Sequence, residues 1–262
     1  MSRPAENGET LWIAGYPVQC PTPEALTARL LDALERGEKT ALLFANANFA
    51  VQCTALQAGL REAGIVIVND GVGIDIAARL FHRRRLRHNL NGTDFVPALL
   101  ARARRPVFLF GARPGVVARA AATLSVAGLP VAGHCDGYAG RGDSARLVAA
   151  INASGADIVL VGLGNPLQEA WILAHRAELA APLVIGVGAL FDFVAGQVPR
   201  APPLVRRLRL EWLYRLAHEP RRLARRYTVD IVRFLALCAA QGGQGADADG
   251  HGRHGADVSG RP

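Results

Sequence analysis

The chain has 262 residues, of which 50% are hydrophobic and 20% charged, and its excess of basic side chains gives a net charge of +8. This length and apolar content allow a full hydrophobic core and exclude a disordered protein. The positive charge predicts an anionic partner, such as a nucleotide, a nucleic acid or the acidic surface of a membrane.

The N-terminus, the most apolar stretch and the cysteines indicate in which compartment the protein is found. Residues 1–10 are polar without an apolar signal core, and the most apolar stretch, residues 227–240, is interrupted by Asp230 and Arg233. We therefore expect any membrane contact to be peripheral. The chain has four scattered cysteines: Cys20, Cys53, Cys135 and Cys238. They include no Cys-x-x-Cys pair, which argues against a metal knuckle or a disulfide framework and is compatible with a reducing cytoplasm.

Short apolar runs alternate with helical patterns along the chain. The apolar runs predict buried strands at residues 40–45, 65–68, 106–110, 130–132, 157–161 and 182–187. The helical patterns cover residues 23–36, 51–63, 75–80, 94–104, 115–127, 144–153 and 167–179. This alternation predicts an α/β fold, in which a parallel, Rossmann-like sheet is covered by helices on both faces.

We expect three parts in the chain. The α/β domain spans residues 1–197, and a helical, arginine-rich appendage follows at 198–240. Residues 241–262 are rich in Gly, Asp and His, which predicts a disordered tail.

Glycine follows most of the predicted strands, at the edge where a parallel sheet binds its ligands. Glycine there lets backbone N–H groups approach a ligand, and the helix that follows adds a dipole favourable to phosphate. The alternative is a set of ordinary strand-to-helix turns. Neither Gly71-x-Gly73 nor Gly162-x-Gly164 completes the dinucleotide fingerprint, which needs a third glycine, so we predict no nicotinamide or other cofactor.

Residues 200–226 carry nine arginines but only two acids, Glu211 and Glu219. Apolar residues recur between them at three- and four-residue steps, which predicts two amphipathic helices, one at 202–218 and one starting near Pro220. Because a guanidinium group binds phosphate oxygens in pairs, the segment predicts phosphate binding. The alternative is a solvated surface helix in an arginine-rich protein, in which Lys39 is the sole lysine.

Seven motifs occur in a characteristic order: Asn69-Asp70-Gly71-Val72-Gly73, Asn91-Gly92-Thr93-Asp94, Phe110-Gly111, Gly137-Tyr138, Gly162-Leu163-Gly164-x-Pro166-x-Gln168-Glu169, Gly186-Val187-Gly188-x-x-x-Asp192, and Arg200-Ala201-Pro202 followed by Leu210-Glu211-Trp212-x-Tyr214-Arg215-x-x-x-Glu219-Pro220-x-Arg222-x-x-Arg225. Together they resemble the WecG/TagA/CpsF family of bacterial glycosyltransferases. The resemblance covers the chain from Leu11 to Phe234.

The resemblance implies transfer of a sugar from a UDP-sugar to an undecaprenyl-diphosphate-linked saccharide, with inversion to a β-linkage and no required metal. It implies a peripheral enzyme on the cytoplasmic face of the inner membrane, whose appendage closes over the active site and touches the membrane. The partners are then the UDP-sugar donor, the polyprenyl-diphosphate-linked acceptor and the anionic membrane surface. A homo-oligomer is left open.

The resemblance also assigns roles to individual residues. Asp70 matches the base that takes the proton of the acceptor hydroxyl; the alternative is a turn or helix-capping aspartate. Arg215, Arg222 and Arg225 match appendage arginines that would stabilise the leaving UDP in place of a metal. Gln168 matches a pocket residue that contacts sugar or nucleotide, against the alternative of a polar residue at a helix start.

Further donor-binding residues are predicted at the strand ends: Asn46, Asn48, Gly71, Gly111, Gly162, Gly164, Glu169, Gly188 and Asp192. For Asp192 the alternative is a residue that holds its loop. The sequence has one Asp-x-Asp motif, at 247–249 in the predicted tail, so we predict no metal site.

Two positions depart from the family pattern and bear on the donor sugar. Asn46 stands where many relatives have threonine, and Asn89 stands where they have arginine. The Asn-Leu-Asn-Gly-Thr-Asp-Phe version at residues 89–95 resembles the branch of xanthan-type exopolysaccharide assembly. That branch implies glucose added to a lipid-linked glucose; the alternative within the family is an N-acetylmannosamine donor.

Two other functional classes are disfavoured. A nucleic-acid-binding protein would interleave basic residues with stacking aromatics, but aromatics make up only 6% of the chain. A membrane scaffold with a decayed active site is disfavoured by the retained Asp70 and Gln168. A second basic run, residues 82–88, either helps to bind lipid phosphate or is a solvated helix end.

Overall fold

The computed structural model describes residues 3–198, 214 and 220–242. Eight strands of this part form one sheet in the order β2-β3-β5-β4-β10-β9-β7-β8, and β1 pairs separately with β6. The strands are β1 (Arg3–Pro4), β2 (Thr10–Ile13), β3 (Tyr16–Gln19), β4 (Thr40–Ala45), β5 (Ile65–Asn69), β6 (Arg84–Arg85), β7 (Val107–Gly111), β8 (Val131–Cys135), β9 (Ile158–Gly162) and β10 (Leu183–Gly186).

The large sheet is parallel apart from its β2–β3 hairpin, which is antiparallel and lies at one edge. The predicted parallel α/β sheet is therefore confirmed, and all six predicted strands are present within a few residues of their expected ends. The central strands β4, β5, β9 and β10 are buried along their whole length. Full burial explains why they appear in the sequence as continuous apolar runs rather than as alternating patterns.

The helices of the described part are α1 (Pro23–Glu35), α2 (Ala47–Gln52), α3 (Val72–His82), α4 (Gly92–Ala103), α5 (Pro114–Val126), α6 (Ala139–Gly142), α7 (Ser144–Ala153), α8 (Leu167–His175), α9 (Leu190–Val194) and α10 (Pro220–Gly242). Several begin at a residue whose side chain accepts a hydrogen bond from the first turn of the helix. For example, Thr22 Oγ1 accepts a hydrogen bond from the N–H of Ala25 at the start of α1.

The two faces of the sheet carry separate hydrophobic cores, as the prediction of helices on both faces requires. On one face α2, α3, α7, α8 and α10 cover side chains such as Leu43, Ile67 and Val161. On the other face α1, α4, α5 and α9 cover Leu42 and Leu160. Both cores run under the carboxyl ends of the central strands, and they hold the loops at that edge in place.

Some predictions about individual elements were wrong. The predicted helix at 51–63 is instead α2, which begins four residues earlier, followed by two short 3₁₀ helices, Thr54–Leu56 and Gly59–Arg61. Asn46 explains the early start, because its Oδ1 accepts a hydrogen bond from the N–H of Phe49. The hairpin β2–β3 and the short pair β1–β6 were not predicted at all.

Helix α10 packs against α2 and α3. Phe234 and Cys238 are buried in the core on that face, and Cys238 lies close to the backbone of Ala14 in the turn between β2 and β3. The helix ends at Gly242, two residues beyond the predicted end of the appendage. The predicted helix at 202–218, apart from Tyr214, and the predicted tail from residue 243 onward lie outside the described residues, so the division into three parts stays a prediction.

Candidate active site

The carboxyl ends of β5, β4, β10 and β9 lie side by side at the centre of the sheet. This order brings together residues that are far apart in the sequence: Asp70 follows β5, Asn46 and Asn48 follow β4, Gly188 follows β10, and Gln168 lies in the turn and helix after β9. Parallel strands present these ends at one edge, where ligands of such sheets bind. This edge is the candidate active site.

Asp70 is half-buried in the first turn beyond β5. Its backbone N–H donates to the carbonyl of Ala45 at 2.8 Å, which fixes it beside the end of β4. Gly71 follows with a φ of 89°, a left-handed conformation that glycine adopts without strain, and the chain then enters α3. The turn thus holds a carboxylate at the open edge of the sheet.

A second loop is tied to the Asp70 turn. Asn89 Oδ1 accepts a 2.6 Å hydrogen bond from the N–H of Gly71. The side chain of Asn69 donates to the carbonyl of His88 at 2.7 Å, and the N–H of Leu90 donates to the carbonyl of Asn69 at 3.1 Å. Asn89 therefore lies next to the candidate base.

A chain of side-chain amides links the ends of β4, β9 and β10. Asn48 Nδ2 donates to Asn165 Oδ1 at 3.2 Å, and Asn165 Nδ2 donates to Glu169 Oε1 at 2.6 Å. Gln168 Nε2 donates to the same carboxylate oxygen at 2.7 Å, while Gln168 Oε1 accepts from the N–H of Gly188 at 3.0 Å. These bonds fix the orientation of the Gln168 amide and join three loops of the site.

Glu169 is the buried centre of this network, with none of its surface exposed. Burial raises the pKa of its carboxyl, and the hydrogen bonds from Gln168, Asn165 and the adjacent Cys53 thiol oppose that shift. Its second oxygen, Oε2, accepts no hydrogen bond of normal geometry from the described residues. Its hydrogen bonds to Asn165 and Gln168 hold these side chains in place, and its role in donor binding stays a prediction.

Gly111 and Gly162 face each other at the ends of β7 and β9. A Cβ on Gly111 would lie 2.4 Å from the carbonyl oxygen of Gly162, and a Cβ on Gly162 would lie 2.7 Å from the Phe191 ring. Close packing of the backbone is therefore enough to require glycine at both positions. Their role in donor binding stays a prediction.

Helices α3 and α8 begin at the candidate site, after β5 and β9, and α5 begins after β7, the strand next to β9. The first N–H groups of a helix lack partners within it, and together with the helix dipole they favour a phosphate group. Gly164 lies in the turn before α8 and has a φ of 75° with open space where a Cβ would point. Phosphate binding at this edge stays a prediction.

The other predicted site residues lie further out or outside the described side chains. Asp192 is half-buried in α9 after Gly188, on the face of the sheet covered by α1, α4 and α5. Arg222 and Arg225 lie in the first half of α10, where the backbone alone is described, and Arg215 lies outside the described residues.

Asn165 and Cys53 were missed from the sequence. Asn165 is an unspecified position of the Gly162-Leu163-Gly164-x-Pro166-x-Gln168-Glu169 motif, and its place between Gly164 and Pro166 was the available signal. Cys53 carried no signal, because an isolated cysteine is usually an apolar core residue.

Within residues 3–198 and the described part of α10, no three His, Cys, Asp or Glu side chains lie together as a metal site requires. A search of the same residues for a helix long and apolar enough to cross a bilayer finds none.

The sequence was compared with models of protein families. The model described as "Glycosyl transferase WecG/TagA/CpsF family" matches residues 11–247, which is nearly the whole chain. The match includes every predicted site residue, from Asn46 to Arg225. The chain belongs to the WecG/TagA/CpsF family of glycosyl transferases.

Proposed function

We propose that this glycosyl transferase moves glucose from UDP-glucose to a saccharide linked to a polyprenyl diphosphate, with inversion at the anomeric carbon. The single observation that carries the proposal is the position of Asp70. It is a half-buried carboxylate at the carboxyl edge of the sheet, next to the end of β4 and just before the start of α3. An inverting transfer needs one such base together with stabilisation of the departing diphosphate.

Asp70 suits the role of base better than Glu169 does. An acceptor hydroxyl must come within hydrogen-bonding distance of the base, and Glu169 has no exposed surface. Asp70 is partly exposed at the same edge. In the proposed reaction the acceptor oxygen attacks the anomeric carbon, its proton passes to the Asp70 carboxylate, and the bond to the UDP oxygen breaks.

The departing UDP would carry negative charge toward α10. Ile231 of α10 adjoins α3 at Gly73, close to Asp70, because a Cβ on Gly73 would lie 3.8 Å from Ile231 Cδ1. From there the helix runs down to Cys238 near Ala14, at the opposite edge of the sheet. Its first half therefore extends past the candidate site, and at 1.5 Å per residue Arg225 and Arg222 lie about 9 and 14 Å along the axis from Ile231.

This path supports a role for the appendage arginines in clamping the diphosphate. Arginine binds phosphate oxygens in pairs, and helix α10 gives Arg222 and Arg225 a three-residue spacing on a similar side. With Arg215 they would provide the positive charge that a bound metal provides in other glycosyltransferases.

The choice of glucose rests on Asn46 and Asn89. Asn89 contacts the backbone next to the candidate base, and Asn46 caps α2 at the neighbouring strand end. Both therefore lie where they can affect the shape of the donor pocket. The alternative is UDP-N-acetylmannosamine in the same site.

A transfer assay tests the proposal. The full chain is incubated with a short-chain prenyl-diphosphate-glucose acceptor and a panel of radiolabelled UDP-sugars, with and without EDTA. We expect transfer from UDP-glucose that EDTA does not abolish. Transfer from UDP-N-acetylmannosamine to its own acceptor, with none from UDP-glucose, would overturn the choice of sugar, and loss of transfer in EDTA would overturn the metal-free mechanism.

A further inference from the structure

Helix α3 exposes three large apolar side chains along one side. Val72, Ile76 and Leu80 are 37%, 41% and 64% exposed. They are four residues apart, so they form a continuous stripe that is about 12 Å long at 1.5 Å per residue. We call these three residues the α3 stripe. Single exposed apolar residues are ordinary, but an aligned set indicates a contact surface.

The charges around the α3 stripe favour an anionic partner. Arginines flank it on α3 and in the segment that follows, and those with exposed side chains are Arg79, Arg83, Arg85 and Arg87. Arg84 forms an ion pair with Glu9 at 2.7 Å. Asp75 is the sole acid between residues 71 and 88, and it is buried. An apolar stripe with an arginine fringe is the pattern of a helix that lies in the headgroup layer of an anionic bilayer.

The position of the stripe relates it to the candidate site. Val72 is two residues after Asp70, so the stripe begins at the mouth of the site and runs down the side of the domain. Helix α10 packs against α3 and exposes Val229 and Val232 nearby. A bilayer on this side would lie at the level of the carboxyl edge.

We infer that the α3 stripe and the arginines around it bind the protein to an anionic phospholipid bilayer, with the candidate site facing the headgroup layer. This inference rests on the proposed function for the nature of the acceptor, since a lipid-linked diphosphate lies at that depth. This membrane-binding surface is separate from the appendage, because the α3 stripe belongs to the helix that follows the candidate base.

Vesicle flotation of the full chain tests the inference without donor or acceptor. The vesicles are phosphatidylcholine alone or with about one third phosphatidylglycerol. The test variant is Ile76→Glu with Leu80→Glu, and the matched control is Val126→Glu, at a site that is 90% exposed on α5 across the sheet. We expect the double variant to lower partitioning into anionic vesicles about ten-fold or more, and the control to leave it unchanged.

A second variant tests the exposed arginines around the α3 stripe. Arg83→Ala with Arg85→Ala should weaken binding to anionic vesicles about five-fold for each arginine, with no effect on vesicles of phosphatidylcholine alone. Circular dichroism of each variant checks that it folds. Unchanged flotation of the Ile76/Leu80 variant would overturn the inference.

Two other outcomes would also overturn it. If sedimentation velocity shows that the Ile76/Leu80 variant loses self-association while vesicle binding persists, the stripe binds a second copy of the chain. If its unfolding temperature falls and vesicle binding persists, another segment of the same chain covers the stripe. A failure of the proposed function is distinguishable, because it removes sugar transfer in the wild-type protein and leaves flotation as it was.

Discussion

Asn89 and Gly71 are joined by a hydrogen bond of 2.6 Å, from the backbone N–H of Gly71 to the side-chain oxygen of Asn89. Gly71 is the residue immediately after the candidate base. Asn89, one of the two residues on which the proposed choice of donor sugar rests, therefore also supports the turn that carries Asp70.

Asn89→Ala should lower kcat about five-fold, because loss of one hydrogen bond of about 1 kcal/mol loosens the Asp70 turn. Asn89→Asp keeps the acceptor oxygen and should retain most of the activity. Steady-state kinetics with the preferred UDP-sugar measure both. Equal rates for the alanine variant and the wild type would show that the bond does not position the base.

Asp70→Asn should reduce kcat about a hundred-fold or more, since the amide cannot take the acceptor proton. UDP binding measured by calorimetry should stay nearly intact. The control is Asp32→Asn on the exposed surface of α1, for which we expect no change in either quantity. A near-wild-type rate for Asp70→Asn would remove its assignment as base.

Arg222→Ala and Arg225→Ala should each lower kcat/KM for the UDP-sugar about ten-fold or more, because each loses charge-assisted hydrogen bonds to the diphosphate. Lysine at either position should restore only part of the loss, since it lacks the paired donors of the guanidinium group. Arg119→Ala, on exposed α5, serves as control. If Arg215→Ala and both of these variants keep wild-type kinetics, the arginines contact the membrane alone.

Glu169 should make stability depend on pH. Burial raises the pKa of its carboxyl above the ordinary value of 4.5, so the folded state holds the proton more tightly than the unfolded chain does. The wild type should therefore lose stability relative to Glu169→Gln as the pH rises above 4.5 and through the folded pKa. Urea unfolding of both proteins across this range measures the difference. A difference that stays constant with pH would contradict the prediction.

Phe234→Ala should destabilise the protein by about 3 kcal/mol or more, because Phe234 is fully buried on the inner side of α10 and its removal leaves a cavity. Val232→Ala lies two residues earlier on the same helix at 68% exposure, and it should cost less than about 0.5 kcal/mol. Urea unfolding followed by circular dichroism compares them. Similar values for the two variants would mean that α10 is not part of the cooperative core.

The sequence was sufficient to predict the central sheet, and the reason is burial. Strands such as β4 and β10 are covered on both faces, so nearly all of their residues are apolar and each strand forms a continuous apolar run in the sequence. Hairpin β2–β3 was missed because it lies at the edge of the sheet, where Trp12 is 55% exposed, and because Gly15 and Pro17 interrupt its short strands. Edge strands carry weaker patterns for this reason.

The candidate site was predictable in its location and less so in its internal contacts. Asp70 and Gln168 each follow a predicted strand, and in a parallel sheet such positions lie at one edge, as the structure shows. The burial of Glu169 was not predictable, because an acid in the first turn of a helix is normally exposed and stabilised by the helix dipole. In the folded turn, the side-chain amides of Asn165 and Gln168 donate hydrogen bonds to the Glu169 carboxylate, and these bonds offset the free-energy cost of burying it.

The contact of Phe234 and Cys238 with the core has a practical consequence for fragments of this protein. A fragment that ended near residue 198 would lack α10, and the apolar surface of α2 and of the Ala14 turn beneath it would meet water. Such a surface promotes association between copies. Oligomeric state, solubility and unfolding temperature measured on such a fragment would then reflect the newly exposed face, so each is best measured on a chain that retains α10.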